Sequence, residues 1–220
     1  MADIVVFGTG ANAELAHFYF GRDSAHRVVA FVVDGSHLRE DHFCGLPVVA
    51  TETIPPQFRA DRCSAFVATG YGKINRLRAE KCAAMQAAGY ELVSYINSNA
   101  IVMTDHPMGW NCFILEGVAI QPFVRIGNDV QIWPNSTVAH GTTIDDHAFL
   151  SGRVTIAGEV HVGAGCFLGI GSTVRDHVRL GRNCVVGAGA VILGDTEDDA
   201  VYTAPPARKL PTRSDRLRRI

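Results

Sequence analysis

Three short stretches hold the side chains able to do chemistry. The first is Thr137-Val138-Ala139-His140-Gly141-Thr142. A neutral imidazole serves as a general base near pH 7. His140 stands two residues after an aliphatic position, so it projects outward at a bend. The second is Gly8-Thr9-Gly10-Ala11-Asn12-Ala13, a Gly-x-Gly-x-x-Ala turn between an apolar run and a helix-like segment. Backbone N–H groups at such a helix start can cradle a phosphate. Asp34 follows Gly10 by 24 residues and resembles a ribose-binding acid. The third is Gly70-Tyr71-Gly72-Lys73-Ile74-Asn75-Arg76, which follows another apolar run and closes the same edge. Each has a plainer reading. An exposed corner histidine needs no function, and a tight βα turn needs glycine for its geometry alone. His147, His161 and His177 also point outward and are expected at the surface. The positions 18 residues from His140 are Pro122 and Gly158. Neither is a ligand, so no metal site is expected.

The element that must carry His140 is written in a strict period. Every sixth residue from Ile120 to Ile192 is Ile, Leu or Val, and the thirteen include Val138 and Ile156. Those three types make up 50 of 220 residues, so an unbroken series is not chance. Two residues before each lies a small or β-branched residue, such as Ser136, Thr142, Cys166 and Cys184. Gly often follows the aliphatic position, at Gly127, Gly163, Gly169, Gly181 and Gly187, where it is expected to supply an unusual φ at the bend. This hexapeptide repeat is the mark of a parallel β-helix. Three hexads close one 18-residue coil, and coils stack ~4.8 Å apart, the ordinary strand spacing. The series continues more weakly back to Ala100 and Val102. Cys166 and Cys184, 18 apart, are expected to stack as core filler rather than to bond.

Residues 1–97 lack the hexad and alternate apolar runs with helix-like stretches. Runs at 4–7, 28–33, 47–49, 65–68 and 92–96 predict strands, and 73–88 predicts a helix. Such alternation implies a small parallel sheet, an α/β Rossmann-like unit with its ligand edge at the carboxyl ends of the strands. Gly8, Asp34 and Gly70 all fall on that edge. The unit is too short for a full dinucleotide domain, so nicotinamide chemistry is not expected. The expected organisation is 1–97 as a nucleotide-binding unit, 98–195 as the β-helix, and 196–220 as a C-terminal extension with a solvated basic tail from Arg213 to Arg219.

Composition narrows the function further. A net charge of −2 leaves no basic footprint for nucleic acid. No apolar run approaches membrane-span length, and the first residues lack the basic region of a signal peptide. Six cysteines without a Cys-x-x-Cys pair fit reduced thiols, so a cytoplasmic protein is expected.

Taken together, these motifs resemble the left-handed β-helix acetyltransferases of nucleotide-linked amino sugars, including the sialic acid O-acetyltransferase-like enzymes. Gly165-Cys166-Phe167-Leu168-Gly169-Ile170-Gly171 and the ending Val201-Tyr202-Thr203-Ala204-Pro205-Pro206-Ala207-Arg208 are similar to the family's runs. The resemblance implies acetyl-CoA as co-substrate, a homotrimer with coenzyme A between neighbouring prisms, and His140 as catalytic base. It implies that Gly158, Ile170, Ala188, Phe149 and Arg208 lie along the coenzyme path. It also implies that Gly8, Gly10, Asn12, Asp34, Gly70, Tyr71 and Asn75 hold the sugar nucleotide, with the sugar reaching His140. Three departures stand out. Gly141 replaces the acid that follows the catalytic histidine in many relatives, leaving Asp145 or Asp146 as substitutes. Phe149 replaces a histidine that assists the coenzyme, and Ala204 replaces a glycine. The competing expectations are an inactive β-helix serving as a binding or scaffold module, and an acyltransferase acting on a free small acceptor.

Overall fold

The computed structural model describes residues 2–209, 211, 212 and 214–216. Most of the basic tail, including Arg213, Arg218 and Arg219, lies outside the described residues. The chain opens with β1 (Ala2–Phe7), α1 (Ala11–Arg22) and β2 (His26–Val33), followed by β3 (His42–Phe43), β4 (Leu46–Ala50), β5 (Ser64–Val67) and α2 (Arg76–Ala87). The five strands form one sheet in the order β3-β4-β2-β1-β5, parallel except for the antiparallel β3–β4 pair. Both faces of β1 are buried from Ile4 to Phe7, which is why that stretch is written as an unbroken apolar run. The short strand β3 escaped the sequence because two residues carry no period. The predicted helix at 73–88 begins later. Lys73, Ile74 and Asn75 are in the left-handed region (φ 53°, 53° and 62°), and the helix starts at Arg76.

From Tyr95 onward the chain is a parallel β-helix of two-residue strands. The first face stacks Tyr95–Ile96, Phe113–Ile114, Gln131–Ile132, Phe149–Leu150, Phe167–Leu168, Val185–Val186 and Val201–Tyr202. The second stacks Ile101–Val102, Ala119–Ile120, Thr137–Val138, Thr155–Ile156, Thr173–Val174 and Val191–Ile192. The third stacks Arg125–Ile126, Thr143–Ile144, His161–Val162 and Arg179–Leu180. All thirteen aliphatic residues from Ile120 to Ile192 lie inside, none more than 6% exposed, and Val138 pairs directly with Ile156. Cys166 and Cys184 are buried in the same core and are free thiols. The ladder begins at Tyr95 and ends at Tyr202, so it overruns both ends of the 98–195 span expected from the hexads.

The glycine rule read from the sequence needs correction. The glycines after the aliphatic positions do not have positive φ. They are required because a Cβ would strike the next coil: at Gly163 it would lie 2.8 Å from the Leu180 carbonyl oxygen, and at Gly169 2.6 Å from the Ala188 nitrogen. The left-handed turn falls three residues before each aliphatic position. It recurs at every sixth residue from Asn111 to Gly189, and nine of these fourteen positions are not glycine.

The small unit is seated on the first face of the prism. Phe20 and Phe66 meet Tyr95 and Phe113 with ring centroids 5.1–5.5 Å apart. The core beneath α1 runs without a break into Phe113 and Leu115.

Candidate active site

Two places in the molecule can do chemistry, and one chain does not bring them together. The first is a cavity of about 420 Å³ at the carboxyl ends of β1, β2 and β5. Five of the seven expected acceptor residues line it: Gly8, Gly10, Asn12, Asp34 and Gly70. Gly8 has φ +118°, a conformation only glycine adopts freely, and its N–H donates to the Val32 carbonyl at 2.9 Å. Gly10 caps α1 without a side-chain hydrogen bond, and a Cβ there would meet nothing within 4 Å. The N–H groups of Ala11 and Asn12 find no backbone partner, as at the start of any helix, and carry its positive end. Asp34 is ion-paired: the Lys81 ammonium donates to its Oδ2 at 2.6 Å, and His37 Nδ1 lies 3.8 Å away. Lys81 and His37 line the same cavity. Nothing in the sequence marks the contact of Lys81 with Asp34, 47 residues away.

Two expected acceptor residues lie outside that lining: Asn75 is built into the seat of the small unit, and Tyr71 is 57% exposed. Asn75 is buried, and its Nδ2 donates to the carbonyls of Gly165 and Cys166 at 3.1 Å each. Tyr71 packs on the prism, its ring 5.2 Å from Phe149 and 5.0 Å from Phe167. Phe149 is itself corrected by this packing. It is 2% exposed, sealed among Tyr71, Trp133 and Phe167 on the covered first face, and has no surface left for a coenzyme.

The second place is the vertex between the second and third faces, which carries His140. The side chain is exposed. Its ring rests on Gly158, one coil farther along the same vertex, where a Cβ would stand 2.6 Å from Cε1 and 2.8 Å from Nε2. Glycine at 158 is therefore the slot that admits the imidazole. The His140 N–H donates to Gln121 Oε1 at 3.0 Å, and its carbonyl accepts from the Glu159 N–H at 2.9 Å. No side chain among the described residues hydrogen-bonds to the imidazole itself. Asp145 and Asp146 do not replace the missing acid: Asp145 is paired with His161 Nε2 at 2.8 Å, and Asp146 accepts from the Asn128 N–H at 2.7 Å. The Gly158 N–H is spent on no backbone carbonyl.

Ile170 and Ala188 lie on a different vertex, between the first and second faces, one coil apart and both exposed. They flank the second face on the side opposite His140 and Gly158. Arg208 is exposed beyond the last rung. The small unit covers the first face, which is the face opposite the His140 vertex. Within one chain the whole prism therefore separates the cavity from the imidazole. Buried thiols offer no nucleophile, since burial pushes Cys112 up to about 11 and Cys166 up to about 12. No helix among the described residues is long and apolar enough to cross a membrane.

Comparison with known proteins agrees with this architecture. Residues 123–158 and 159–194 match the bacterial transferase hexapeptide family of six repeats. A perosamine N-acetyltransferase from Caulobacter crescentus, solved as a histidine-to-asparagine variant in complex with CoA and GDP-perosamine, is 29% identical. The match covers 94% of this chain and 96% of that one, with a TM-score of 0.83. The acetyltransferase domain of PglB from Neisseria gonorrhoeae, in complex with acetyl coenzyme A, is 22% identical over 94% and 98% of the two chains (TM-score 0.79). WeeI from Acinetobacter baumannii is 19% identical over 96% and 100% (TM-score 0.78). The last two establish a shared fold, a small α/β unit followed by a left-handed parallel β-helix. No curated protein matches the sequence.

Proposed function

We propose, from the match of residues 123–194 to the bacterial transferase hexapeptide family, that the chain is an acetyl-CoA-dependent acetyltransferase acting on a nucleotide-linked amino sugar. The observation that carries the reading is the pairing of two sites: an anion-ready cavity at the strand ends and an imidazole held on a glycine slot. The 29%-identical relative is an N-acetyltransferase, which favours the sugar amine over a hydroxyl as acceptor.

The nucleotide occupies the cavity, with its phosphates at the Gly8–Gly10 turn and the start of α1. Acetyl-CoA runs along the prism edge. The amine attacks the thioester carbonyl, forming the C–N bond while His140 accepts the proton. The tetrahedral intermediate collapses, the C–S bond breaks, and the imidazolium returns its proton to the departing sulfur. General-base help of this kind contributes roughly 10²–10⁴-fold. The unspent Gly158 N–H is the candidate donor to the oxyanion.

The separation of cavity and imidazole within one chain supports a homotrimer with shared sites. A nucleotide held by one copy presents its sugar to His140 of the partner subunit, and coenzyme A lies between the Ile170–Ala188 vertex of one prism and the His140–Gly158 vertex of the next. The uncovered second face supports the same assembly, because it exposes Ile101 and Val191 beside small and β-branched residues. Six free cysteines and acetyl-CoA as donor support a cytoplasmic location for the reaction.

The test is thiol release from acetyl-CoA with a panel of GDP-, UDP- and dTDP-linked amino sugars. Turnover with one of them, lost in His140→Ala, is expected. Acetylation of free serine or of an unlinked sugar at equal rate, with no nucleotide dependence, would overturn the reading.

A further inference from the structure

Between α2 and the prism lies a buried polar cluster that the reaction above does not use. Its centre is Asp129, on the turn between the third and first faces, fully buried and with φ 55°. Its Oδ1 accepts from Arg78 Nε at 2.8 Å and from Asn111 Nδ2 at 2.8 Å. Its Oδ2 lies 2.8 Å from His147 Nδ1, and its carbonyl accepts from Arg78 Nη2 at 3.1 Å. Arg78 is also fully buried and completes its fork on the His147 carbonyl at 3.0 Å and Asn75 Oδ1 at 3.2 Å.

Two walls of the cavity hang from this one carboxylate. Arg78 sits on α2 between Leu77 and Lys81, both of which line the cavity. Asn111 grips the end of β5 at both polar groups of Val67: Oδ1 accepts from its N–H at 2.7 Å, and Nδ2 donates to its carbonyl at 3.1 Å. The next residues, Ala68, Thr69 and Gly70, form the other wall. The Thr69 hydroxyl is buried there with no partner among the described residues. A buried carboxylate needs this many donors to offset its desolvation. A well-packed apolar group in place of the whole cluster would hold the small unit on the prism equally well. What this arrangement adds is a fixed distance between the Lys81–Asp34 pair, the Thr69 wall and the prism edge.

We propose that Asp129 is a positioning residue for the acceptor: through Arg78 and Asn111 it sets the width of the cavity and its height above the prism, and so governs sugar-nucleotide binding without touching the nucleotide. This rests on the reading of the cavity as the acceptor site.

The experiment is steady-state kinetics on Asp129→Asn and Asn111→Ala, varying each substrate in turn, with Gly10→Val as the control that fills the cavity directly. Asp129→Asn is expected to raise KM for the sugar nucleotide about tenfold, while kcat and KM for acetyl-CoA stay within threefold. Asn111→Ala releases only the β5 wall. It is expected to give a smaller rise of the same kind, and it supplies the answer if Asp129→Asn fails to fold. An unchanged acceptor KM in both variants, with a raised one in Gly10→Val, overturns the proposal and leaves the acceptor site standing. Unchanged acceptor KM in all three overturns both. Equal loss for both substrates marks a merely structural cluster and also overturns the proposal.

Discussion

Replacing Gly158 by alanine places a Cβ 2.6 Å from Cε1, 2.8 Å from Nε2 and 3.2 Å from Nδ1 of His140. Non-bonded carbon atoms settle at about 3.5–4.0 Å, so the ring must retreat by about 1 Å. The backbone imposes no cost of its own, since Gly158 does not have positive φ. The imidazole is exposed and free to swing outward, so stability should barely change. Catalysis should not be so tolerant, because a displacement of about 1 Å can cost ~10²-fold, equivalent to about 2.7 kcal/mol of transition-state stabilisation. The assay is a double-mutant cycle on kcat/KM with His140→Ala. Gly158→Ala is expected to lose about 10²-fold alone and nothing further in the His140→Ala background. Activity within threefold of the parent, or an equal loss in both backgrounds, would refute the idea that Gly158 serves as the slot for His140.

Other outcomes follow from the same geometry. His140→Ala should lower kcat by roughly 10²-fold or more with coenzyme A affinity retained, as measured by saturation kinetics and calorimetry. Gly10→Val, which fills open cavity space, and Asp34→Ala, which strands the Lys81 ammonium, should each raise KM for the sugar nucleotide and leave that for acetyl-CoA alone. Ile156→Asp buries an unpaired charge in the prism and should abolish cooperative melting; a soluble variant with the parent Tm would contradict the inward register. Gly163→Ala drives a Cβ into rigid backbone of the next coil, whereas Gly171→Ala meets open space at φ +67°. Thermal melts should therefore show the larger loss at 163, with the change at 171 held to about 1–2 kcal/mol.

The prism was legible in the sequence because its period is a core constraint: each sixth side chain has to be apolar to fill the interior, and no polar residue interrupts the series. The Gly8–Gly10 turn and Asp34 were legible because strand ends and helix starts have local signatures. Asn75 and Phe149 are buried where a ligand contact was expected, for a common reason. Hexads do not record which face of the prism the small unit covers, so an aromatic or amide beneath it looks the same as one facing a ligand. Asn75 shows this most sharply, since its bonds go to Gly165 and Cys166, 90 and 91 positions away. The glycines misled in another way. Their absence of a side chain, not their freedom of φ, is what the stacked coils require, and the two demands look identical in one dimension.

The ladder pairs residues 18 apart, while the apolar interior repeats every six. These two lengths give the chain a rotational phase. Removing six residues from a coil beyond the seat of the small unit would keep every aliphatic side chain inside, yet turn all that follows by one third of a revolution. A histidine on the working vertex would arrive on a different edge. Removing one residue would break the core outright, and removing eighteen would only shorten the column. Insertions and deletions thus sort into lethal, misdirecting and silent classes by arithmetic alone, and length variation compatible with function should come in whole coils.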